Sequence, residues 1–242
     1  MIKIKTLFIS DLHMGNPNSQ ANKVLELFKM YEFENLIIVG DFIDMTYMKR
    51  KKFNWNKDHL TIIQKILRLS RKGVNVVYVV GNHDNYVRHL IEENDIYFGG
   101  ILICDEYVHE TINEKIYIVH GDCFDGFIRI HPFIYWLGDT AYELSIKINK
   151  IYNSFRKIFG VEYWSLSSYL KYKVKNAIEY INEYEKISEL KLKENGCTSI
   201  LMGHTHFPKI VENKYYNTGD FVESCSYITE NYNGKLTLDY IL

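Results

Sequence analysis

Five apolar runs in this chain each stop abruptly on a knot of polar residues, and in four of the five that knot contains glycine. They read TLFISDLH at 6–13, LIIVGD at 36–41, VVYVVGNHD at 76–84, IYIVHGD at 116–122 and SILMGHTH at 199–206. The runs are continuous rather than alternating, which predicts strands buried on both faces. Between the early runs lie stretches with helical character, at 21–31 and 59–72. In the second, Leu60, Ile63, Leu67 and Ser70 follow helical spacing and Gly73 is a natural stop. Strand alternating with helix predicts an α/β fold with a largely parallel sheet. The polar knots then fall at the carboxyl ends of strands, where open α/β sheets bind ligands.

The pattern changes after the fourth run. Leu144, Ile148, Ile151, Phe155 and Ile158 make one helical stripe, and Leu166, Leu170, Val174, Ala177, Ile181 and Tyr184 make another, with Gly160 between them. This predicts a helical insert at about 127–195 within a single domain spanning 1–242. The last forty residues return to strands, with Asn233-Gly234 as a hairpin turn before the final one.

Composition narrows the picture. A chain of 242 residues with 47% hydrophobic and 24% charged residues can bury a sizeable core, and three prolines leave little room for long disordered linkers. The formal charge of -1 argues against a dedicated nucleic-acid binder, and no nucleic-acid partner is expected. Cys104, Cys123, Cys197 and Cys225 form no C-x-x-C pair, which excludes a zinc knuckle or redox motif and fits a reducing compartment. The first apolar stretch is too short for a signal-peptide core, and no stretch approaches the roughly 20 apolar residues of a membrane span. The expected location is cytoplasmic, with peripheral contact on the cytoplasmic face of the inner membrane as a further expectation.

The strand ends gather Asp11, His13, Asp41, Asn82, His83, Asp84, His120, His204 and His206 at one sheet edge. Each signal alone is weak. D-x-H arises by chance, a lone histidine is more often packed or solvated than a ligand, and Asp41 alone could cap a helix. The joint occurrence on five buried strands is what points to metal. Imidazole, carboxylate and amide oxygen without thiolate suit manganese, iron, zinc or cobalt better than a structural zinc. Seven candidate ligands exceed the needs of one tetrahedral ion, so two ions are expected, with mid-set Asp41 placed to bridge them. Two ions about 3.5–4 Å apart can activate a water and clamp a phosphoryl group.

Asp11-Leu-His13, Gly40-Asp41, Gly81-Asn82-His83-Asp84, His120 and Gly203-His204-Thr205-His206 together resemble the full signature of the calcineurin-like metallophosphoesterases. The resemblance implies an αββα sandwich of two mixed sheets flanked by helices, with a helical lid insert. It implies Asp11, His13, Asp41 and His206 on one divalent ion and Asp41, Asn82, His120 and His204 on the other, with Mn2+ first and Fe, Zn or Co as alternatives. It implies His83 as the catalytic imidazole, oriented by Asp84. Asp44 and Asp122 would stand behind the ligands, or be ordinary turn carboxylates.

RKGVNVVYVVGNHD, WLGDTAYELSIKINK, YWSLSSYLKYKVKNA and YYNTGDFVESCSYI further resemble the bacterial branch related to UDP-2,3-diacylglucosamine diphosphatase, over nearly the whole chain. Those enzymes cut the pyrophosphate of a UDP-lipid in lipid A synthesis, releasing UMP and the lipid 1-phosphate. One departure bears on the exact substrate: the diphosphatases carry Arg where this chain has His83.

The insert adds aromatics, among them Trp136, Tyr142, Tyr152, Phe155, Phe159, Tyr163 and Trp164, and a net of +5 between Ala141 and Asn176. Lys171 and Lys175 are i,i+4 neighbours and candidate substrate-binding residues on a lid, or simply its solvated face. Lys49-Arg50-Lys51-Lys52 is either an anion-holding segment or a solvated loop. Asn217-Thr218-Gly219-Asp220 is expected to close the strand behind the His204 loop. The competing functions are a phosphoesterase for a soluble nucleotide or phosphodiester, a nuclease, and a non-catalytic scaffold. The last should have lost ligands or the catalytic histidine, and this chain keeps them all.

Overall fold

The apolar runs become strands of two mixed sheets in a computed structural model that describes residues 1–50, 55–91, 94–125, 153, 191–192 and 194–241. In chain order the elements are β1 (Ile2–Ile9), α1 (Ala21–Met30), β2 (Tyr31–Val39), α2 (Met45–Arg50), α3 (Lys57–Arg71), β3 (Asn75–Val79), α4 (Asn85–Arg88), β4 (Ile96–Phe98), β5 (Ile101–Cys104), β6 (Glu106–Glu110) and β7 (Lys115–Val119). Then follow β8 (Ser199–Met202), β9 (Lys209–Val211), β10 (Tyr215–Asn217), β11 (Ser226–Glu230) and β12 (Leu236–Tyr240). The first sheet has the order β12-β11-β1-β2-β3-β5-β4, and the second β6-β7-β8-β10-β9. The centre of each is parallel, as expected: β1, β2, β3 and β5 in one, β7, β8 and β10 in the other. The flanking strands are antiparallel.

Successive side chains on a strand point to opposite faces, and here both faces are covered. On β1, Leu7 and Ile9 join a core shared with α1 and α3, while Phe8 joins the layer between the two sheets. On β2, Leu36 and Ile38 go one way and Ile37 and Val39 the other; on β3, Val76 and Tyr78 oppose Val77 and Val79. Burying each such side chain contributes about 1.5–3 kcal/mol, so both layers select the same register and fix where each strand ends.

Helix α1 buries Ala21, Val24, Leu27 and Phe28, close to the expected bounds. Helix α3 also lies where expected, but its buried face is His59, Ile62 and Ile66, while Leu60 is half exposed. The stripe is offset by one position from the one expected. His59 belongs to it because its ring accepts from the Asn56 backbone N–H while Asn56 Oδ1 accepts from that of His59, a reciprocal cap.

A charged link lies in the layer between the sheets. Glu230 on β11 accepts from Thr6 Oγ1 at 2.5 Å, lies 2.8 Å from His109 Nε2 on β6, and pairs with Lys5 Nζ at 3.1 Å. The carboxylate thus joins the two sheets.

The chain divides into two compact units, Met1–Asp122 with Ser188–Ile241, and Cys123–Ile187 with Leu242. Of the second, residues 123–125 and 153 are described. Nearly all of the helical insert expected at 127–195, including Lys171 and Lys175, lies outside the described residues, as do Lys51 and Lys52.

Candidate metal centre

The nine candidate residues follow five parallel strands: Asp11 and His13 after β1, Asp41 after β2, Asn82, His83 and Asp84 after β3, His120 after β7, and His204 and His206 after β8. The loops keep pairing beyond the strands. The Asp11 N–H donates to Gly40 O at 3.0 Å, that of His13 to Asp41 O at 2.9 Å, and that of Gly203 to His120 O at 3.1 Å. Seven non-glycine residues among those described have positive φ, and five of them are Asp11, His13, Asp41, His204 and His206. Each such conformation costs on the order of 1–3 kcal/mol and persists only where its surroundings over-determine it. Glycine makes room here. A Cβ on Gly81 would overlap the Asp41 carboxylate, and one on Gly203 the carboxylate of Asp11.

The side chains converge in two overlapping groups. In the first, His206 Nε2 lies 3.0 Å from Asp11 Oδ1, and His13 Nε2 lies 3.3 Å from His206 Nε2 and 3.6 Å from Asp41 Oδ2. In the second, His120 Nε2 lies 3.4 Å from the same Asp41 oxygen and 3.2 Å from Asn82 Oδ1. The His204 ring packs edge-on against that of His120, with centroids 5.1 Å apart. One oxygen of Asp41 therefore faces both groups.

These atoms are mostly acceptors facing acceptors. His120 Nδ1 sits 2.9 Å from Val39 O and must donate to it, because a carbonyl oxygen only accepts. A neutral His120 then directs its Nε2 lone pair at two oxygens. Asp11 Oδ1 is buried, makes no well-aligned hydrogen bond, and has His206 Nε2 as a neighbour at 3.0 Å. Only protons or cations relieve such a cluster. Without a metal, burial pushes His120 down, but the Asp41 carboxylate outweighs it and raises the ring to about 10. His13 is likewise held well above its ordinary value: burial opposes the charge, and Asp11 and Asp44 overcome it. Burial pushes the Asp41 and Asp11 carboxyls up, and the imidazoles hold both well below the usual carboxylate range. Polar groups this compressed and this deeply buried are hallmarks of a built site.

Asp84 does not touch the His83 ring in the expected way. Its carboxylate accepts from the backbone N–H groups of Phe42 at 3.1 Å, Ile43 at 2.8 Å and Gly81 at 3.3 Å, tying the β2 loop to the β3 loop. Burial and the neighbouring Asp41 push it up to about 6. The partner of His83 is Asp44, whose Oδ1 lies 2.7 Å from His83 Nδ1 and whose Oδ2 lies 3.4 Å from His13 Nδ1. Asn16 Nδ2 and the Tyr47 N–H also donate to Asp44, at 3.0 and 2.8 Å. His83 lies close enough to His13 and Asp41 to share a cation with them as well.

The family model described as calcineurin-like phosphoesterase matches residues 4–208. The chain belongs to that family. A UDP-2,3-diacylglucosamine hydrolase of Histophilus somni (strain 129Pt) is 25% identical over 245 residues, covering 95% of this chain and 97% of the relative. One of Blochmanniella floridana is 26% identical, covering 84% and 81%. Among solved structures, the phosphoesterase Yfce from E. coli is 14% identical with a TM-score of 0.45, covering 99% and 100%. The protein is accordingly a metal-dependent phosphoesterase, and the family implies divalent metal ions.

The residues of this phosphoesterase fit such ions. Buried oxygen and nitrogen donors converge on two centres, thiolates are absent from the described groups, and Asp11, His13, Asp41, His120, His206 and His83 supply triads of closely spaced ligand atoms. Of the residues that support these ligands, the sequence anticipates the segment 217–220 and Asp122, but not Ser10 and Arg88. Ser10 Oγ donates to Asp11 Oδ2, and its hydroxyl lies 2.6 Å from that of Thr218. Asn217 Nδ2 donates to Gly203 O at 2.7 Å and Thr205 Oγ1 at 3.1 Å, so the segment from 217 does brace the His204 loop. Asp220 Oδ2 lies 3.9 Å from His206 Nδ1. Asp122 accepts a two-pronged pair of bonds from Arg88 at 2.7 and 3.3 Å. Arg88 lay beyond the motif; the only sequence signal was a lone arginine one helical turn after Asp84.

Proposed function

We propose that this phosphoesterase hydrolyses the pyrophosphate of a UDP-linked acylated sugar, UDP-2,3-diacylglucosamine-like, to UMP and a lipid 1-phosphate. What carries the reading is the match, end to end, to relatives named UDP-2,3-diacylglucosamine hydrolase. Asp11, His13, Asp41 and His206 would hold one divalent ion, and Asp41, Asn82, His120 and His204 the other. Bound there, the two ions would supply positive charge to the phosphoryl group and to the oxygen that attacks it. Mn2+ suits the donor set best, with Fe, Zn and Co as alternatives. His83 would carry a proton to the leaving oxygen from Nε2, because Asp44 engages Nδ1. Asp44, buried yet held ionised by His13 and His83, would keep that ring aimed.

A cytoplasmic enzyme acting at the membrane face is the matching location. Among the described residues no helix is long and apolar enough to cross a membrane.

The test is a side-by-side assay of an acylated UDP-sugar, the same UDP-sugar without acyl chains, and an aryl phosphodiester. Each buried methylene is worth about 0.8 kcal/mol, so the acylated substrate should show a much higher kcat/KM, with UMP as product. Equal or better cleavage of the non-acylated compounds would refute the lipid assignment. The second reading, a phosphoesterase for a soluble nucleotide or phosphodiester, would then stand. It is favoured by His83 occupying the position where the diphosphatases carry Arg.

A further inference from the structure

Arg88 is the last residue of α4, the short helix that begins directly after Asp84. Its guanidinium spans three chain segments. Nε donates to Asp105 Oδ1 at 2.8 Å, Nη1 and Nη2 donate to the two oxygens of Asp122 at 2.7 and 3.3 Å, and Nη2 also donates to Val80 O at 3.1 Å. Val80 is two residues before Asn82, and Asp122 is two residues after His120. Asp105 is the turn through which the chain passes from β5 in the first sheet to β6 in the second.

The two exits that Arg88 joins carry Asn82 and His120, and these come from different sheets. Their ligand atoms stand 3.2 Å apart. The hydrogen-bonded strand ladder does not cross between sheets; His120 Nδ1 is tied to Val39 O at the β2 exit, and holding it against the β3 exit calls for a further brace. Arg88 provides one through a planar, bidentate pair with Asp122, a geometry that a lysine does not reproduce. The ligands of the other group are braced elsewhere. His13 leans on Asp44, and Asp11 accepts from Ser10 Oγ and from the His204 N–H at 3.1 Å.

We propose that Arg88 is a positioning residue that sets the affinity of one metal position, that of Asn82 and His120, and leaves the Asp11–His13–His206 position unchanged. This rests on the reading above that those residues hold two ions. The Arg88 hydrogen bonds go to Asp105, Asp122 and Val80 O and to none of the candidate ligands; it would act by fixing the gap between two strand exits. Loss of a residue that orients metal ligands typically weakens binding by about 10–100-fold, and here the loss should fall on one equivalent of two.

The experiment uses the full chain, stripped with chelator and titrated with Mn2+ by calorimetry, with bound metal counted after gel filtration. Wild type should take two equivalents. Arg88→Gln should bind one as wild type does and the other about 10–100-fold more weakly, and Arg88→Lys should lie between. Asp122→Asn breaks the same pair without altering α4, and it keeps the proposal testable if Arg88→Gln does not fold. It should reproduce the selective loss. The paired-ion Mn2+ EPR signal should vanish at metal concentrations that still fill one position. Equal weakening of both equivalents would mark Arg88 as a general structural residue and overturn the proposal, as would unchanged binding of both. A wild type that takes a single equivalent would overturn the two-ion reading, and the proposal with it.

Discussion

Replacing Asp44 by Asn keeps its size and removes its charge. The side chain is almost fully buried and accepts from His83 Nδ1, Asn16 Nδ2 and the Tyr47 N–H while facing His13 Nδ1. An amide has one acceptor oxygen where the carboxylate has two, so its NH2 must confront a donor on one side. If it keeps the bond from the Tyr47 N–H, which caps α2, the lost partner is on the His13 side; if it turns, the lost partners are His83 and that N–H. A hydrogen bond to a charged group contributes about 1.5–3 kcal/mol, and each 1.36 kcal/mol is tenfold in rate. Asp44→Asn should therefore lower kcat by roughly 10–100-fold on a phosphodiester with a poor leaving group. Metal content should fall little, because His13 keeps its remaining neighbours. The assay compares wild type, Asp44→Asn and Asp84→Asn on aryl phosphodiesters of graded leaving-group pKa. Asp44→Asn should steepen the dependence on leaving group, as the loss of a positioned proton donor requires. Asp84→Asn should instead lower stability, since its amide keeps one acceptor oxygen and turns an NH2 toward at least one of the three backbone N–H groups that the carboxylate serves. A steeper dependence in Asp84→Asn with none in Asp44→Asn would refute the assignment of Asp44 to His83.

Asp41→Ala should abolish activity and reduce bound metal more than any other single ligand change, because one oxygen serves both groups; elemental analysis showing two equivalents retained would exclude bridging. His83→Ala should keep both equivalents and lose roughly 10²-fold in turnover on a poor leaving group; an equal loss on an activated one would point to charge stabilisation instead. Glu230→Gln should flatten the acid limb of stability. Burial pushes the Glu230 carboxyl up, but His109, Thr6 and Lys5 outweigh it and hold it below its ordinary 4.5. Its stabilisation is thus complete above that value and is lost as pH falls through the folded pKa. Denaturant unfolding between about pH 6 and about pH 3.5 should show a larger loss for wild type than for the variant; parallel curves would show that the pair contributes nothing to acid sensitivity.

The five strand exits were legible because strands covered on both faces must be continuously apolar, so their ends are sharp and the polar residues that follow stand out. Helix α3 was legible in position but not in orientation. Its true stripe opens with His59, a polar residue whose place is set by a cap rather than by hydropathy. Strands β4 to β6 left little trace, since β4 is three residues long and largely exposed, and β6 reads EYVHE with charge at both ends. Asp84 was assigned to His83 because the two are adjacent in sequence. Adjacency says little about where side chains go in a loop, and three backbone donors capture this carboxylate. The true partner lies 39 residues earlier, just beyond the Gly-Asp pair. Arg88 was invisible for a related reason: its partners sit 17 and 34 residues downstream, and no local pattern encodes them.

The candidate ligands are dealt out along the whole length of the chain, from Asp11 to His206, with three strand exits in one sheet and two in the other. No fragment emerging during synthesis can hold a complete site. Until the segment beyond residue 199 has been made and β8 has added itself to β7, His204 and His206 are missing from the set, and what can form is partial groups such as His13, Asp41 and His83. Completion of the metal centre would then be a late event of assembly, and an ion held by ligands from both sheets would draw them together by mass action. A cell starved of the metal would accumulate chains with both sheets formed and their seam loose, recognisable by exchange-labile amides at the strand exits while the strand centres stay protected.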